Sequence, residues 1–162
     1  MEIGLIVAID ANSGIGKNGK LPWRNKEDMR FFADTTKGKG KNAVVMGRTT
    51  WQSLPHPPLA ERINLVLSRT MQEEEGVGCV VVRSVEEALL KAAELGAGYL
   101  WGIGGAQTYR AFEELGVVSR KLVTQLDGEY GCDVQYSPDL AGDAIDAWRQ
   151  IQGGTITEWG RA

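Results

Sequence analysis

Short apolar, β-branched runs alternate along the whole chain with segments of helical periodicity. Runs at 3–9, 43–46, 63–67, 79–82, 99–103, 121–126, 148–152 and 155–159 predict strands, and apolar spacing at 25–36, 48–54, 85–95 and 106–115 predicts four helices. Strands alternating with helices imply a mainly parallel sheet covered on both faces. Gly153-Gly154 between the last two runs predicts a two-residue hairpin turn, which reverses one strand and places it most naturally at the sheet edge. The expected fold is therefore α/β: a single domain over 1–162, with a central eight-stranded, mostly parallel sheet, an antiparallel C-terminal strand and four flanking helices. Ser84 followed by Glu87 reads as the capping box that opens the third helix.

Helix 25–36 carries the most information. On a wheel of about 100° per residue, Phe31, Phe32, Met29 and Ala33 define an apolar arc that contains Asp28, while Lys26, Glu27, Arg30 and Asp34 cluster outside it. A carboxylate inside an apolar arc costs free energy unless a donor meets it. A position in the first turn also suits an acid that serves the helix dipole or a capping interaction with Asn25, and both readings stay open.

Composition narrows the chemistry. The chain has 162 residues, 21 of them Gly, one His (His56) and two Cys (Cys79 and Cys132), with a net charge of −3. That inventory excludes a zinc finger, a His-rich zinc site and Cys-Xaa-Xaa-Cys redox chemistry, and no metal site is expected. The two cysteines read as reduced core residues. No basic footprint for nucleic acid is present, and the Lys-rich 37–41 stretch reads as a solvated loop. The first apolar run is too short to cross a membrane and lacks the basic start of a signal peptide, so a cytoplasmic protein without membrane partners is expected.

The glycines fall in three places. Gly14, Gly16 and Gly19 imitate the dinucleotide fingerprint, but Pro22 follows and no helix opens there, so they read as a mobile lid over a ligand. Gly104-Gly105 between a strand and a helix, and Gly47 before Arg48-Thr49-Thr50, instead present helix starts to phosphate groups, a pairing that suits a dinucleotide.

These residues together resemble the dihydrofolate reductases. The resemblance is carried by Gly16 with Leu21-Pro22-Trp23, Asp28 with Phe32, Val45-Met46-Gly47-Arg48-Thr49-Thr50-Trp51, the run from Arg62 to Arg69, Ile103-Gly104-Gly105 through Tyr109, and Thr124. It implies reduction of 7,8-dihydrofolate to tetrahydrofolate with NADPH, by hydride transfer to pterin C6 and protonation at N5. Asp28 would hold the pterin 2-amino group and N3 in a two-point contact, Thr124 would bond to that acid and the substrate, Trp23 would order water, and Leu21 would form part of the apolar wall of the folate and nicotinamide pockets. Ile6, Val7, Met29, Phe32, Leu54, Leu59, Ile103 and Tyr109 would wall the substrate, and Arg62 would clamp the α-carboxylate of its glutamate tail. Ala8, Ile15, Gly16, Gly47, Arg48, Thr49, Thr50, Ile103, Gly104, Gly105, Ala106, Gln107 and Tyr109 would line the cofactor. Leu67, Ser68, Arg69 and Arg83 would lie at its adenosine end, where the arginines favour NADPH over NADH.

The resemblance further implies dihydrofolate and antifolates such as methotrexate as ligands, and a monomer. The sequence departs from the family pattern at Glu61, where Gly is usual and an acid is expected to oppose the tail carboxylate. It departs also at Gly102, expected to loosen its strand, at the short terminal hairpin, and at Cys132 beside Asp133. Two alternatives share the cofactor site: a same-fold reductase of the riboflavin-pathway pyrimidine, which has no need of Asp28, and a non-catalytic NADPH-binding protein.

Overall fold

Strand β1 (Glu2–Ile9) runs through the middle of the sheet in the computed structural model, which describes residues 1–161. Ala162, the last residue of the domain expected from the sequence, lies outside them. The chain continues through β2 (Gly14–Gly16), α1 (Lys26–Lys37), β3 (Ala43–Gly47), α2 (Arg48–Ser53), β4 (Ile63–Leu67), β5 (Val80–Val82), α3 (Val85–Glu94), β6 (Tyr99–Gly102), α4 (Ala106–Leu115), β7 (Arg120–Leu126), β8 (Val134–Gln135), β9 (Asp143–Ile151) and β10 (Gly154–Arg161). The eight-stranded sheet has the order β5-β4-β3-β6-β1-β7-β10-β9. Every ladder from β5 to β7 is parallel, and β10 is antiparallel to both of its neighbours.

All eight predicted strands and four predicted helices are present. Residues 43–46 of β3 are fully buried, as an uninterrupted apolar run in a two-sided sheet requires. Leu5, Val7 and Ile9 of β1 pack on one face with Val85, Ala88 and Ala92 of α3 and Phe112 of α4. Ile6 packs on the other face with Trp51 of α2 and with Phe31 and Phe32 of α1.

Several expectations are corrected. The reversed strand, β10, lies one position inside the edge, and β9 forms the edge itself. The hairpin turns at Gln152-Gly153, because Gly154 already pairs with Ile151 and lies against the Gln125 backbone. β9 begins at Asp143, earlier than predicted; all but its end residues are exposed, so no hydrophobic alternation announces it. Gly102 does not loosen β6: a Cβ there would come 2.7 Å from Leu5 Cδ2 and 3.2 Å from the Phe112 ring, so core side chains fill the space. Neither cysteine is fully buried: Cys79 packs half-buried against the core cluster around Ile6 and Trp51, whereas Cys132 is half-buried beside Asp10, and both are free.

This topology opens a cleft. From β1 the chain winds outward through β3, β4 and β5, then returns to place β6 beside β1 and β7 on its far side. The β1–β6 ladder stops at Leu5 opposite Gly102, whereas the β1–β7 ladder continues to Ile9 opposite Gln125. The C-terminal half of β1 therefore has no β6 partner. Open α/β sheets bind ligands at such a switch in winding direction, beyond the carboxyl ends of the strands.

Candidate active site

Asn25 caps α1, accepting the Asp28 N–H at 3.0 Å. Asn25 Nδ2 also donates to the Gln152 carbonyl at 2.8 Å, and Glu27 accepts the Gln152 N–H at 2.9 Å, which clamps the helix start to the last hairpin. Asp28 takes part in both arrangements through different atoms. Its N–H serves the cap, while its carboxylate accepts the hydroxyl of Thr124 at 2.5 Å. Thr124 lies on β7 opposite Ala8 of β1 and is only 2% exposed. Burial pushes the Asp28 carboxyl above the ordinary carboxylate range, and the Thr124 bond partly offsets it.

Across the cleft, the buried Tyr109 of α4 donates its hydroxyl to the Ile6 carbonyl at 2.8 Å, just past the end of the β1–β6 ladder. Burial, with a smaller contribution from the charge on Asp28, holds this phenol far above its usual range. Ile6 is buried in an apolar cluster against which the half-buried Phe32, Leu54, Leu59 and Ile103 pack, whereas Val7 is buried in the cluster on the opposite face of the sheet. Met29, placed by the wheel on the inward face, is 51% exposed, and Leu21 is 56% exposed. Phe31 turns toward the C-terminal hairpin, with the Arg149 guanidinium 5.0 Å above its ring.

The glycine-rich segment is no helix start. Gly14–Gly16 forms a short ladder with β8, and Ile15 packs against the core. Asn18 N–H donates to Asp133 at 3.0 Å, and a Cβ on Gly19 would lie 3.5 Å from the Thr49 methyl, so the segment reaches from the 127–135 loop to helix α2. Trp23 rests against Tyr130, ring centroids 5.3 Å apart. The root of the segment is Asp10, 1% exposed. It accepts the N–H groups of Asn12 at 2.9 Å, Gly14 at 2.8 Å and Tyr130 at 3.0 Å, and the Cys132 thiol at 3.5 Å.

At the other end, Arg62 is held by the Thr36 hydroxyl at 3.0 Å and the Ala60 carbonyl at 2.8 Å. Asn64 braces the same loop through the Leu59 N–H and carbonyl, both at 2.9 Å. Glu61 has φ +62 and pairs with Lys37 at 3.3 Å. Its carboxylate is therefore directed to the end of α1.

The cofactor candidates divide by their caps. Asn25 and Ser84 cap α1 and α3 with side-chain bonds, whereas α2 and α4 start at Gly47 and Gly105 with none. The first-turn N–H groups of α4, at Ala106 and Gln107, therefore lack a side-chain cap, the donor set an oxyanion needs. The Gly47 N–H donates to the Gly104 carbonyl at 2.8 Å, which joins the two turns. Gly104 has φ +123, a conformation that only glycine adopts without strain. Arg48 is engaged by Glu75 at 2.7 Å, and Thr49 and Arg69 are exposed. Arg83 donates to the Ser68 carbonyl at 2.9 Å, which brings two adenosine-end candidates together beyond Leu67. The Ser68 hydroxyl closes its own turn onto the Met71 N–H.

Residue-level reading missed Asp10, Thr36, Asn64, Glu113 and Tyr136. Asp10 left a signal, an acid directly after a buried strand; Asn64 braces its own loop through Leu59 and Arg62, whereas Thr36 meets Arg62, and Tyr136 meets Glu113, only through the tertiary fold.

Residues 2–155 match the family model for dihydrofolate reductase. The chain is 39% identical over 155 residues to the dihydrofolate reductase of Schistosoma mansoni, covering 90% of this chain and 82% of that protein. It is 37% identical over 150 residues to the dihydrofolate reductase of Gallus gallus, covering 86% and 79%. The bifunctional dihydrofolate reductase-thymidylate synthase of Daucus carota is 35% identical over 163 residues, which span 89% of this chain and 29% of that protein. The winding switch beside β1, with its half-buried carboxylate and uncapped glycine turns, thus coincides with a sequence match over nearly all the chain: it belongs to the dihydrofolate reductase family.

Proposed function

We propose that this protein reduces 7,8-dihydrofolate to 5,6,7,8-tetrahydrofolate, using NADPH. The observation that carries the reading is the half-buried Asp28 carboxylate, held by Thr124 beside the unpaired half of β1. A carboxylate raised by burial and steadied by one hydroxyl is suited to a ligand that brings its own cationic or amidine-like donors.

In this reading Asp28 takes the pterin 2-amino group and N3 as two parallel charge-assisted bonds. That contact orients the ring, raises its basicity and favours a proton at N5, delivered by water beside Trp23. Thr124 fixes the carboxylate rotamer. Leu21, Met29, Phe32, Leu54 and Ile103 exclude bulk water from the rings, Leu21 and Met29 from exposed positions. Arg62, pre-set by Thr36, takes the tail carboxylate.

The uncapped start of α4, with the Gly47 and Gly104-Gly105 turns, fits a pyrophosphate, and Ser68, Arg69 and Arg83 fit a 2′-phosphate. When bound, NADPH supplies the hydride that pterin C6 receives. Two free cysteines fit a reducing, cytoplasmic setting, and no helix among the described residues is long and apolar enough to cross a membrane. The reading includes a monomer that binds methotrexate-like antifolates, whose diaminopteridine presents a donor pair to Asp28.

Loss of NADPH absorbance on addition of dihydrofolate to the pure protein tests the reading. Absence of turnover by protein that binds NADPH overturns it.

A further inference from the structure

Tyr136 lies in a segment with no periodic signal, yet it is buried and touches both helix α4 and the glycine-rich segment. Its ring stacks on Tyr109, centroids 4.7 Å apart and planes 21° from parallel. Its hydroxyl donates to Glu113 of α4. Glu113 is held in turn by the Asp139 N–H at 2.7 Å and lies 3.9 Å from Lys121 of β7, whose ammonium also pairs with Asp143 at 3.1 Å. The backbone of Tyr136 continues the lid ladder: its N–H donates to the Ser13 carbonyl at 2.9 Å, directly after Val134 and Gln135 pair with Gly16 and Gly14.

The consequence follows from Tyr109. Its hydroxyl reaches the Ile6 carbonyl where β1 loses its β6 partner, and that bond depends on where the phenol ring sits. A ring on one residue can slide or tilt. A stacked partner anchored at its far end by a carboxylate, itself fixed by two further groups, leaves it one position. We propose that Tyr136, fastened by Glu113, is a positioning residue for the reaction: it sets the Tyr109 hydroxyl on the Ile6 carbonyl and ties that setting to the lid strand β2. This rests on the reductase reading for its kinetic expression but not for the coupling itself.

The test is a double-mutant cycle between the two tyrosines. Tyr136→Phe keeps the stack and loses the Glu113 bond; Tyr136→Leu loses both; each is made alone and with Tyr109→Phe. Hydride transfer is followed with NADPH deuterated at the transferred position, alongside the KM for dihydrofolate, NADPH affinity by fluorescence, and ligand-free melting. Because misplacing a reacting group by a fraction of an ångström is costly, Tyr136→Leu should slow hydride transfer about tenfold and Tyr136→Phe about threefold, with changes in KM for dihydrofolate and in NADPH affinity below about twofold. In the Tyr109→Phe background either change should cost less than about twofold. Melting shifts should likewise be smaller in that background.

Equal losses in both backgrounds, or a lowered melting temperature with wild-type hydride transfer, overturn the proposal and leave Tyr136 as a packing residue. Should Tyr136→Leu fail to fold, Tyr136→Phe decides alone. If the wild type does not turn over dihydrofolate, the reductase reading fails, and the ligand-free melting cycle still decides whether Tyr136 acts through Tyr109.

Discussion

The Thr124 hydroxyl points at Asp28 Oδ1 from 2.5 Å, across 96 residues of sequence, and it is the one side-chain donor that offsets the burial of this carboxylate. A bond to a charged acceptor contributes more than a neutral one, so its removal should be visible in kinetics. Thr124→Val keeps the shape and deletes the donor. Because the hydroxyl favours the ionised form, the Asp28 inflection in the pH profile of kcat/KM should move to higher pH, and kcat/KM for dihydrofolate should fall about tenfold. An unmoved inflection would show that the bond does not tune the acid.

Asp28→Asn should largely abolish turnover at neutral pH with NADPH affinity nearly unchanged; an equal loss of NADPH binding would instead make Asp28 a structural cap. The same variant should be the more stable protein without ligand. The folded-state pKa of Asp28 is raised, so the native state prefers the protonated form. Its stability contribution is fully present below the unfolded pKa and is lost as pH rises through the folded one. Urea denaturation should therefore give near-equal stabilities for the two proteins in acid and an advantage for Asp28→Asn at neutral pH.

How far the sequence carries can be read from these side chains. The phase of Asp28 within helix α1 is local, and the wheel located it. Its partner Thr124 is a β-favouring residue among others on β7, and only the tertiary fold singles it out. Met29 shares the arc of Asp28 yet is exposed, because periodicity marks the face turned toward the sheet and not whether that face meets core or cleft. The strands of the buried half announce themselves by uninterrupted apolar runs, whereas β8 is two residues long and only the 148–152 end of β9 is legible, its first half being an exposed edge. Tyr136 and Glu113 are 23 residues apart, and only the tertiary fold stacks the one on Tyr109 and sets the other against its hydroxyl.

Asp10 should be an acid-sensitive fastener at the root of the glycine-rich segment. Burial disfavours its charge, but the Gly14, Tyr130 and Asn12 N–H groups and the Cys132 thiol outweigh that and hold its pKa below the usual value. With the folded pKa depressed, its contribution is present above the unfolded pKa and lost as pH falls through the folded one. Asp10→Asn swaps one acceptor oxygen for a donor that faces N–H groups, and should cost about 2 kcal/mol or more at neutral pH. Wild-type and variant melting curves should converge as the pH is lowered; a constant gap would refute the linkage.

Arg62→Leu should raise the KM for dihydrofolate at least about tenfold while leaving that for NADPH within about twofold, since a bidentate guanidinium–carboxylate contact has no apolar substitute. Equal effects on both substrates would show that Arg62, through Thr36, merely supports the fold.

Glu61 offers the converse case, a residue whose backbone suits another side chain. Its φ of +62 lies in the left-handed region, where a Cβ crowds the following carbonyl. The compensation is one ion pair to Lys37 at 3.3 Å, in which the Glu61 side chain is 68% exposed, and exposed pairs of this kind contribute little. The strain should outweigh the pair, so Glu61→Gly should stabilise the protein by about 0.5–1 kcal/mol once the extra freedom of glycine in the unfolded chain is counted. The same change removes the carboxylate next to Arg62, whose guanidinium burial pulls below its usual pKa while Glu61 pushes it back up. With that charge gone and Lys37 released, the KM for dihydrofolate should fall about two- to threefold, the expected scale for one screened surface charge. Glu61→Gln separates the two effects: it keeps the strained backbone and removes the charge, so it should lower KM without raising stability. A KM that falls in neither variant would show that Lys37 keeps Glu61 from influencing the tail site.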